Sequence, residues 1–400
     1  MSAYTIDPYG VSEAYTAFNY LKFLIKKYHV ILITDAANKK NIEHFFSNEV
    51  PNLTVYYIND NSKLFKKNTF LYNSFKLGYF IFNYKQGKLI KNHKEKFRDI
   101  HIAFFKSPSS YRYTSTLRKI GAKYFIVGPS GGGIQYPEGF KKYKKTEKWY
   151  YRLRNYDRLI FRLPYYKRYA RKVDLYLINF PYAYDLISPL LRNKAKVLSE
   201  TGIDAYFFKG NNKIRDKFRL LYVGRLIPYK GVSLMIKALG IIQEELSKHE
   251  WSIDIIGEGI EKKKLQILVQ ELNLGDHVNF KGNLPKKEVF QYYKLSNLLI
   301  FPSLKESGGN VYLEAMANGL PIIAIDHGSP KYILPDPGTV KINPKNEDYV
   351  IPKLGKAIME YMNSEEKLIN DSQLCLSFVR EKFDWRIIEK ELNKILENYE

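Results

Sequence analysis

The chain has 400 residues, a single cysteine and a formal net charge of +23 at pH 7. This length favours two domains, and one cysteine excludes an internal disulfide and fits a reducing compartment. No apolar run is long enough to span a bilayer, and the N-terminus lacks the features of a signal peptide, so we expect a cytoplasmic protein.

The positive charge is concentrated in the first half of the chain. Residues 1–200 hold 36 basic and 14 acidic side chains, whereas residues 201–400 hold 28 and 27. Such asymmetry favours a polyanionic partner for the first half, such as nucleic acid, an acidic membrane or an acidic substrate. A solubilising surface that reflects a lysine-rich composition is the alternative.

In the first half, short apolar runs predict strands, and one helix is predicted near Ser12–Lys27. The strand candidates are Val30–Thr34, Thr54–Ile58, Ile100–Phe104, Tyr124–Val127 and Leu175–Asn179. His101 lies at a predicted strand position and is the histidine best placed for chemistry. A structural histidine in the core is the alternative.

Two glycine loops of the first half lie where a phosphate could be bound. Gly10 opens the first helix after Asp7-Pro8-Tyr9, and Gly128-Pro-Ser-Gly-Gly-Gly133 follows a predicted strand. Loops at such positions can present backbone amides to an anion. Ordinary tight turns are the alternative for both loops.

The segment between Phe140 and Val173 combines many basic side chains with interleaved aromatic ones. Its candidate membrane or acceptor-binding residues are Lys141, Lys144, Lys148, Arg152, Arg158, Arg162, Lys167 and Arg168. Basic and aromatic residues on an amphipathic stretch are typical of a helix lying on an anionic membrane surface. The segment therefore predicts peripheral membrane docking, with a solvated charged helix as the alternative.

Strands and helices alternate regularly in the second half. The predicted strands are Leu220–Val223, Trp251–Ile256, His277–Phe280, Leu298–Phe301 and Pro321–Ile325, with helical patterns between them. This alternation of strands and helices predicts a parallel sheet, and ligands of such sheets bind at the carboxyl ends of the strands. Together the halves predict two α/β domains of similar size, separated by a cleft, with a boundary near residues 200–215.

The stretch from Phe301 to Pro321 is the most informative part of the chain. It reads as a strand, a glycine loop and a helix, and it places Gly308 and Gly309 between Glu306 and Glu314. The free amides and the dipole at the start of a helix suit a phosphate. Carboxylates can accept hydrogen bonds from sugar hydroxyls, so the stretch predicts a sugar-nucleotide site, although glutamate pairs at this spacing also arise by chance.

Three other loops follow predicted strands of the second half. Gly224-Arg225-Leu-Ile-Pro-Tyr-Lys230-Gly231 supplies two cations that can neutralise a diphosphate without a metal, or that are simply solvated. Gly257-Glu258-Gly259 and Phe280-Lys281-Gly282 allow a close approach of the backbone to a ligand, or are plain turns. No spacing of metal ligands occurs, so we expect no dedicated metal site.

These motifs together resemble the retaining glycosyltransferases of family 4, which have the GT-B fold. That fold consists of two Rossmann-like domains that face each other across a cleft. The resemblance is strongest from Leu220 to Ile325. It implies an acceptor-binding domain over residues 1–205, a nucleotide-sugar donor domain over 206–384, and a last helix over 385–400 that packs back on the first domain.

The resemblance also implies roles for individual residues. Arg225 and Lys230 would hold the diphosphate, Glu306 would contact the donor sugar, and Glu314 would contact the ribose. The implied catalytic residues are Glu306, His101, Arg225 and Lys230. The implied donor-binding residues are Gly10, Gly224, Arg225, Lys230, Gly257, Glu258, Lys281, Glu306, Gly308, Gly309, Asn310, Val311 and Glu314.

The resemblance implies transfer of a sugar from a UDP or GDP donor to a glycan or lipid-linked saccharide, with retention of configuration and without cofactor or metal. We expect a role in cell-surface polysaccharide or glycolipid synthesis at the inner face of the membrane. A basic nucleic-acid-binding protein is an alternative, but it leaves the donor-site motifs unexplained. An epimerase or phosphorylase with the GT-B fold is another alternative.

Overall fold

The computed structural model describes residues 1–47, 50–59, 77–146, 159–207 and 217–400. The chain divides into two compact units. The first comprises Met1–Gly132, Asn155–Thr201 and Ile388–Glu400, and the second comprises Gly133–Arg154 and Gly202–Ile387. Each unit is built on one parallel sheet, which confirms the predicted α/β class.

Within the described residues, the first unit contains a seven-stranded sheet of order β3-β2-β1-β4-β5-β6-β7. Its strands are β1 (Ser2–Ala3), β2 (Val30–Asp35), β3 (Leu53–Ile58), β4 (Ile102–Ser107), β5 (Tyr124–Ser130), β6 (Leu175–Ile178) and β7 (Ala195–Val197). Its helices are α1 (Ser12–Lys27), α2 (Lys39–Phe45), α3 (Leu77–Asn92), α4 (Pro164–Arg171) and α5 (Pro189–Arg192).

Aromatic side chains fill much of the core of the first unit. Tyr79 from α3 and Tyr166 and Tyr169 from α4 pack in one buried cluster with Phe105 of β4 and Tyr176 of β6. Strand β6 is buried along its whole length. Such strands are typical of a parallel sheet that helices cover on both faces.

Within the described residues, the second unit contains a six-stranded sheet of order β10-β9-β8-β11-β12-β13. Its strands are β8 (Phe218–Val223), β9 (Trp251–Ile256), β10 (Val278–Gly282), β11 (Leu298–Phe301), β12 (Ile322–Ile325) and β13 (Thr339–Ile342). Its helices are α6 (Val232–Ile241), α7 (Gln243–Leu246), α8 (Lys262–Glu271), α9 (Lys286–Leu295), α10 (Asn310–Ala317), α11 (Pro330–Ile333), α12 (Glu347–Met362) and α13 (Glu365–Lys382).

The central strands of this second sheet are apolar because both of their faces are covered. Every residue of β9, β11 and β12 is buried. Helix α6 begins after Gly231 and buries an apolar face that includes Leu234 and Leu239. None of the helices in the described ranges combines the length and the apolar character needed to cross a membrane.

The last helix, α14 (Trp385–Leu396), returns to the first unit, as predicted. From Ile388 onward the chain belongs to that unit. The Nζ atom of Lys26 in α1 lies 2.7 Å from a carboxylate oxygen of Glu389, and Lys27 makes an ion pair of 2.7 Å with Glu400. Ion pairs at the surface contribute little to stability, typically about 0–1 kcal/mol.

The second unit also takes in Gly133–Arg154, which the sequence assigns to the first domain. We call the described part of this segment, residues 133–146, the strap. Phe140 in the strap is fully buried, and the ammonium of Lys142 lies 2.7 Å from the carboxylate of Glu347 at the start of α12. The physical reason for the difference is therefore packing: an apolar anchor and an ion pair hold the strap on the second unit.

Candidate functional site

The loops that follow β8, β9 and β10 are joined at the carboxyl edge of the second sheet. The N–H of Gly224 donates to the Ile256 carbonyl at 2.9 Å, and the N–H of Gly257 donates to the Gly282 carbonyl at 2.8 Å. Gly257 has φ +134, and a Cβ there would lie 2.0 Å from the Gly224 oxygen, so only glycine fits. Predicted site residues thus line one edge, where ligands of parallel sheets bind.

Lys230 and Glu306 form an ion pair at this edge. The Lys230 ammonium donates to the Glu306 carboxylate, and the two side chains are 12% and 14% exposed. The same ammonium lies 4.8 Å from the centre of the Phe301 ring. Removing either partner of a pair so shielded from water leaves a charge without compensation, which is strongly unfavourable.

Tyr229 connects the Lys230 loop with the loop that follows β11. Its backbone oxygen accepts a hydrogen bond of 2.8 Å from the N–H of Leu304. Its hydroxyl accepts one of 2.8 Å from the Arg225 guanidinium, and the Lys305 ammonium lies 5.5 Å from the centre of its ring. We call Arg225, Lys230 and Lys305 the cation cluster. The sequence predicts the first two and misses Lys305 and Tyr229.

The amino end of α10 lies directly after the Glu306 loop. Gly309 precedes the helix with φ +87, and a Cβ there would lie 2.8 Å from a ring carbon of Tyr312. The N–H of Ser329 donates to the Glu306 carbonyl at 2.8 Å and fixes the loop before Gly308. The first amides of an α-helix have no partner within the helix, and together with its dipole they favour an anion.

Glu314 lies further along α10 and is largely shielded from water. The Tyr293 hydroxyl donates to its carboxylate at 3.1 Å, and the Lys286 ammonium lies 3.8 Å from the other oxygen. Burial raises the pKa of the Glu314 carboxyl, and Lys286 partly offsets this effect. A carboxylate held in this way favours additional hydrogen-bond donors, such as hydroxyl groups.

The motifs of this edge lie in a region that matches a known family. Residues 205–373 match the family model described as glycosyl transferases group 1. We call residues 205–373 the group 1 region. Within the group 1 region lie Arg225, Lys230, Glu306 and Glu314, as the resemblance found in the sequence implied.

Alignments with curated relatives cover only part of this chain and part of each relative. The uncharacterized glycosyltransferase MJ1607 of Methanocaldococcus jannaschii is 29% identical over 177 residues, which is 44% of this chain and 44% of that protein. The alignments with the first curated relatives span less than half the length of those proteins.

Solved glycosyltransferase structures share the fold of nearly the whole chain. The sucrose-phosphate synthase of Thermosynechococcus elongatus superimposes with a TM-score of 0.66 at 17% identity, over 99% of this chain and 98% of that one. Alr3699/HepE of Anabaena, solved in complex with UDP and glucose, gives a TM-score of 0.61 at 14% identity, with coverages of 99% and 98%. The chain therefore has the GT-B fold.

Other predicted donor-site residues of the group 1 region contact neighbours outside the cation cluster. Glu258 pairs with Lys262, the first residue of α8. Lys281 lies 3.3 Å from Asp254 and 6.0 Å from the centre of the Tyr292 ring. These two residues lie at the expected edge, and their donor contacts stay predictions.

The predicted catalytic role of His101 stays a prediction, and its position at the sheet does not favour that role. This residue precedes β4, at the amino end of the strand, whereas ligands bind at the carboxyl end. Its Nε2 lies 3.0 Å from the backbone oxygen of Tyr399 in the C-terminal segment. This contact links His101 to the packing of the C-terminal segment. Gly10 lies in the loop before α1, and its phosphate contact stays a prediction.

The predicted basic segment does not form one continuous helix. Lys141 and Lys144 lie in the strap, in a 3₁₀ helix that runs over Glu138–Thr146 in the second unit. Arg162, Lys167 and Arg168 lie in the first unit, exposed beside or within α4. The predicted residues Lys148, Arg152 and Arg158 fall outside the described part of the chain.

In the described ranges, no group of three or more histidine, cysteine, aspartate and glutamate side chains is arranged to hold a metal ion. The cation cluster and the amino end of α10 can both bind a negative charge at this edge. Their arrangement is suited to a diphosphate, which carries several negative charges in a small volume.

Proposed function

We propose that the chain is a glycosyltransferase that binds a nucleoside-diphosphate sugar in its second unit. The observation that supports this most directly is the cation cluster beside the amino end of α10, within the group 1 region. A UDP-type donor is the first choice, because Alr3699/HepE has been solved with UDP and glucose. A GDP-type donor is the second.

In this proposal the chain stabilises the departure of the nucleoside diphosphate. The bond between the anomeric carbon and a phosphate oxygen breaks, and negative charge grows on that oxygen. Arg225, Lys230 and the amides that follow Gly309 lie where they can oppose this charge, which lowers the barrier directly. An acceptor hydroxyl attacks the same face of the sugar, and its proton passes to the departing phosphate.

The two glutamates have separate tasks in this scheme. Glu306 contacts hydroxyls of the donor sugar and keeps the Lys230 ammonium at the edge of the sheet. Glu314 accepts hydrogen bonds from the ribose. Retention of configuration follows from departure and attack on one face, and positive side chains replace a divalent ion as the stabilising charge.

We propose a glycan or lipid-linked saccharide as the acceptor, in the synthesis of a surface polysaccharide or glycolipid. The exposed cations beside and within α4, together with the charge of the first half, support docking on an anionic membrane from the cytoplasmic side. The first unit would then present the acceptor-binding surface.

A donor screen tests the proposal. Ligand at 100 times its dissociation constant adds about 2.7 kcal/mol to the free energy of unfolding, so UDP and GDP sugars should raise the melting temperature. Release of nucleoside diphosphate should then require an acceptor, which separates transfer from epimerisation and from phosphorolysis. Unchanged turnover in a variant with Arg225→Ala, Lys230→Ala and Glu306→Gln would refute the proposal.

A further inference from the structure

Four neighbouring strands of the first sheet end at one polar cluster. Lys106 lies near the carboxyl end of β4, and Gly131 directly follows β5. Asn179 directly follows β6, and Glu200 lies beyond β7. The N–H of Glu200 donates to the side-chain oxygen of Asn179 at 2.7 Å, and the N–H of Gly131 donates to the Ser109 carbonyl at 3.2 Å. The cluster therefore lies at the edge where ligands of parallel sheets bind.

Lys106 places a buried cation in this cluster. None of its side chain is exposed, and its ammonium lies 3.2 Å from Oε1 of Glu200. The ammonium also donates to the Ser109 hydroxyl at 3.1 Å and lies 5.1 Å from the centre of the Tyr20 ring. A lysine is almost never fully buried unless it is paired, so these contacts hold the ammonium in place. Because Lys106 is covered, it can act on a ligand only through Glu200.

The second carboxylate oxygen of Glu200 lies beside the glycine loop. A Cβ on Gly131 would lie 3.5 Å from Oε2 of Glu200 and 3.5 Å from Nδ2 of Asn179. A Cβ on the next residue, Gly132, would have no atom within 4 Å. The Glu200 side chain is 13% exposed, so it is not closed off from solvent. The absence of side chains at these two glycines leaves room for a ligand beside Glu200.

The chemistry of this edge is suited to hydroxyl groups. An ionised carboxylate only accepts hydrogen bonds, so it binds hydroxyls, whereas it repels a phosphate. The N–H of Gly131 is already used by the Ser109 carbonyl, which makes the loop less suited to an anion than the sequence suggested. Sugars present several hydroxyls in a small volume. A neutral sugar is therefore the ligand that this edge favours.

We propose that Glu200 binds a hydroxyl of the acceptor sugar through Oε2 and that Lys106 is its positioning residue. The Lys106 ammonium holds Oε1, which turns Oε2 toward the glycine loop. This inference rests on the proposed function and deepens it, because it assigns acceptor recognition to two side chains of the first unit. It also gives the glycine loop a role in leaving the carboxylate open.

Saturation-transfer NMR of the full chain tests the role of Glu200. The probes are the hexyl glycosides of glucose, galactose, mannose and N-acetylglucosamine, titrated with and without saturating UDP. We expect the wild type to bind at least one of them. Gly131→Ala should weaken that binding about tenfold, because its methyl group covers Oε2 and costs one charge-assisted contact.

Gly131→Ala is chosen because it should fold. Its new methyl group would make only ordinary van der Waals contacts. Gly275→Ala is the matched control in the second unit, since its Cβ would lie 3.4 Å from the flexible end of Gln270. The control should bind glycosides like the wild type, and both variants should bind UDP within about twofold of it.

Variants of the ion pair test the positioning role. Lys106→Met with Glu200→Gln removes both charges, so no buried charge is left unpaired, and glycoside binding should weaken about tenfold. Lys106→Met alone should lose as much as this double variant. In turnover assays we expect a raised KM for the glycoside, with little change in kcat or in the KM for the nucleotide sugar. The control removes the exposed pair of α12 through Lys356→Met with Glu360→Gln.

Thermal melting shows which variants are folded, and the double variant and Gly131→Ala decide the outcome if Lys106→Met alone is not. Glycoside binding by Lys106→Met that equals the wild type, or losses that add in the double variant, would overturn the positioning role.

The two sets of probes separate this inference from the proposed function. Weaker glycoside binding with unchanged UDP binding supports the inference. A wild type that binds UDP but none of the glycosides overturns it, as do variants that bind glycosides like the wild type, and both results leave the proposed function standing. A loss of UDP binding as large as that of glycoside binding would overturn the assignment to the acceptor. If the wild type binds neither UDP nor GDP, the proposed function fails and the inference fails with it.

Discussion

At the scale of single residues, Lys230 and Glu306 form an ion pair at the proposed donor site. The two side chains are largely shielded from water, so each one compensates the charge of the other. In the proposed reaction, however, they act on different parts of the donor. Variants of the two residues should therefore fail in different ways.

We expect Lys230→Met to weaken UDP or GDP binding about tenfold, because it removes a cation from the diphosphate site. Glu306→Gln keeps the Lys230 ammonium and should bind the nucleoside diphosphate within about threefold of the wild type, yet lose about 100-fold in turnover. Calorimetry and steady-state kinetics measure the two effects. Equal losses of affinity in both variants would show that the residues act as one binding unit.

The raised pKa of Glu314 predicts a pH-dependent stability. Because burial raises its pKa above the ordinary value of 4.5, the folded chain retains this proton at pH values where the unfolded chain has lost it. The free energy of unfolding therefore falls as pH rises from that value through the raised pKa. Glu314→Gln, which stays neutral, should be more stable than the wild type at neutral pH and lose this advantage in acid.

Urea denaturation from about pH 4 to about pH 8 measures this difference, because stability should diverge only as the wild-type carboxyl ionises. Glu271→Gln, at an exposed position at the end of α8, is the matched control. A difference between Glu314→Gln and the wild type that is constant over the whole range would contradict the prediction.

Sequence patterns located the charged residues of loops that follow strands, and they missed contacts that depend on tertiary packing. Arg225 follows β8, and Glu306 lies in the loop after β11, so strand positions alone bring them to one edge. Tyr136 reaches Lys305 only through the packing of the strap, which no local pattern encodes. The predicted strand that included His101 began two residues too early, because β4 begins at Ile102.

At the scale of elements, α10 depends on the conformation of its first turn. Gly309 has φ +87, and the Tyr312 ring occupies the space that a side chain would need. Any other residue here would strain the backbone and push the helix away from the Glu306 loop. The anion site at the amino end of α10 therefore requires glycine.

We expect Gly309→Ala to lower the free energy of unfolding by about 3 kcal/mol, because backbone strain and a steric clash add. Gly121→Ala is the matched control, since Gly121 has φ +79 but open space around it, and it should cost about 1–2 kcal/mol. Denaturant titration measures both values. Equal losses in the two variants would show that the clash with Tyr312 is relieved without cost.

Five of the six strands that the structure describes in the second sheet were predicted closely, because apolar runs bounded by glycine or proline are their local signal, whereas β13 was missed. The predicted Trp251–Ile256 and Leu298–Phe301 coincide with β9 and β11. The first half was less regular, and β7 was missed because Ala195–Val197 is short and partly exposed. A strand of this kind carries too little apolar pattern to be recognised without its neighbour β6.

At the scale of the whole molecule, the uneven charge is the feature that the group 1 motifs leave unexplained. Nearly all of the excess lies in residues 1–200. Helix α4 buries Tyr166, Tyr169 and Ala170 and exposes its cations, so its polar face is available to a partner. An anionic lipid surface is the partner that we propose.

Reversing three of these charges should release the chain from anionic liposomes. Each cation near such a surface contributes about 1 kcal/mol, so Arg162→Glu, Lys167→Glu and Arg168→Glu together should weaken binding about 100-fold. The control with the same change in net charge replaces the exposed Lys263, Lys264 and Lys287 by glutamate. Binding to neutral liposomes as strong as to anionic ones would rule out electrostatic docking.

Each unit is built from separate segments of the chain, which limits how its domains can be exchanged with those of related proteins. A chimera joined near residue 205 would separate the strap and the C-terminal segment from the units against which they pack. Each would then face the surface of another protein. Grafting a new donor preference onto this chain would therefore require residues 133–154 to travel with the second half, while residues 388–400 stay with the first.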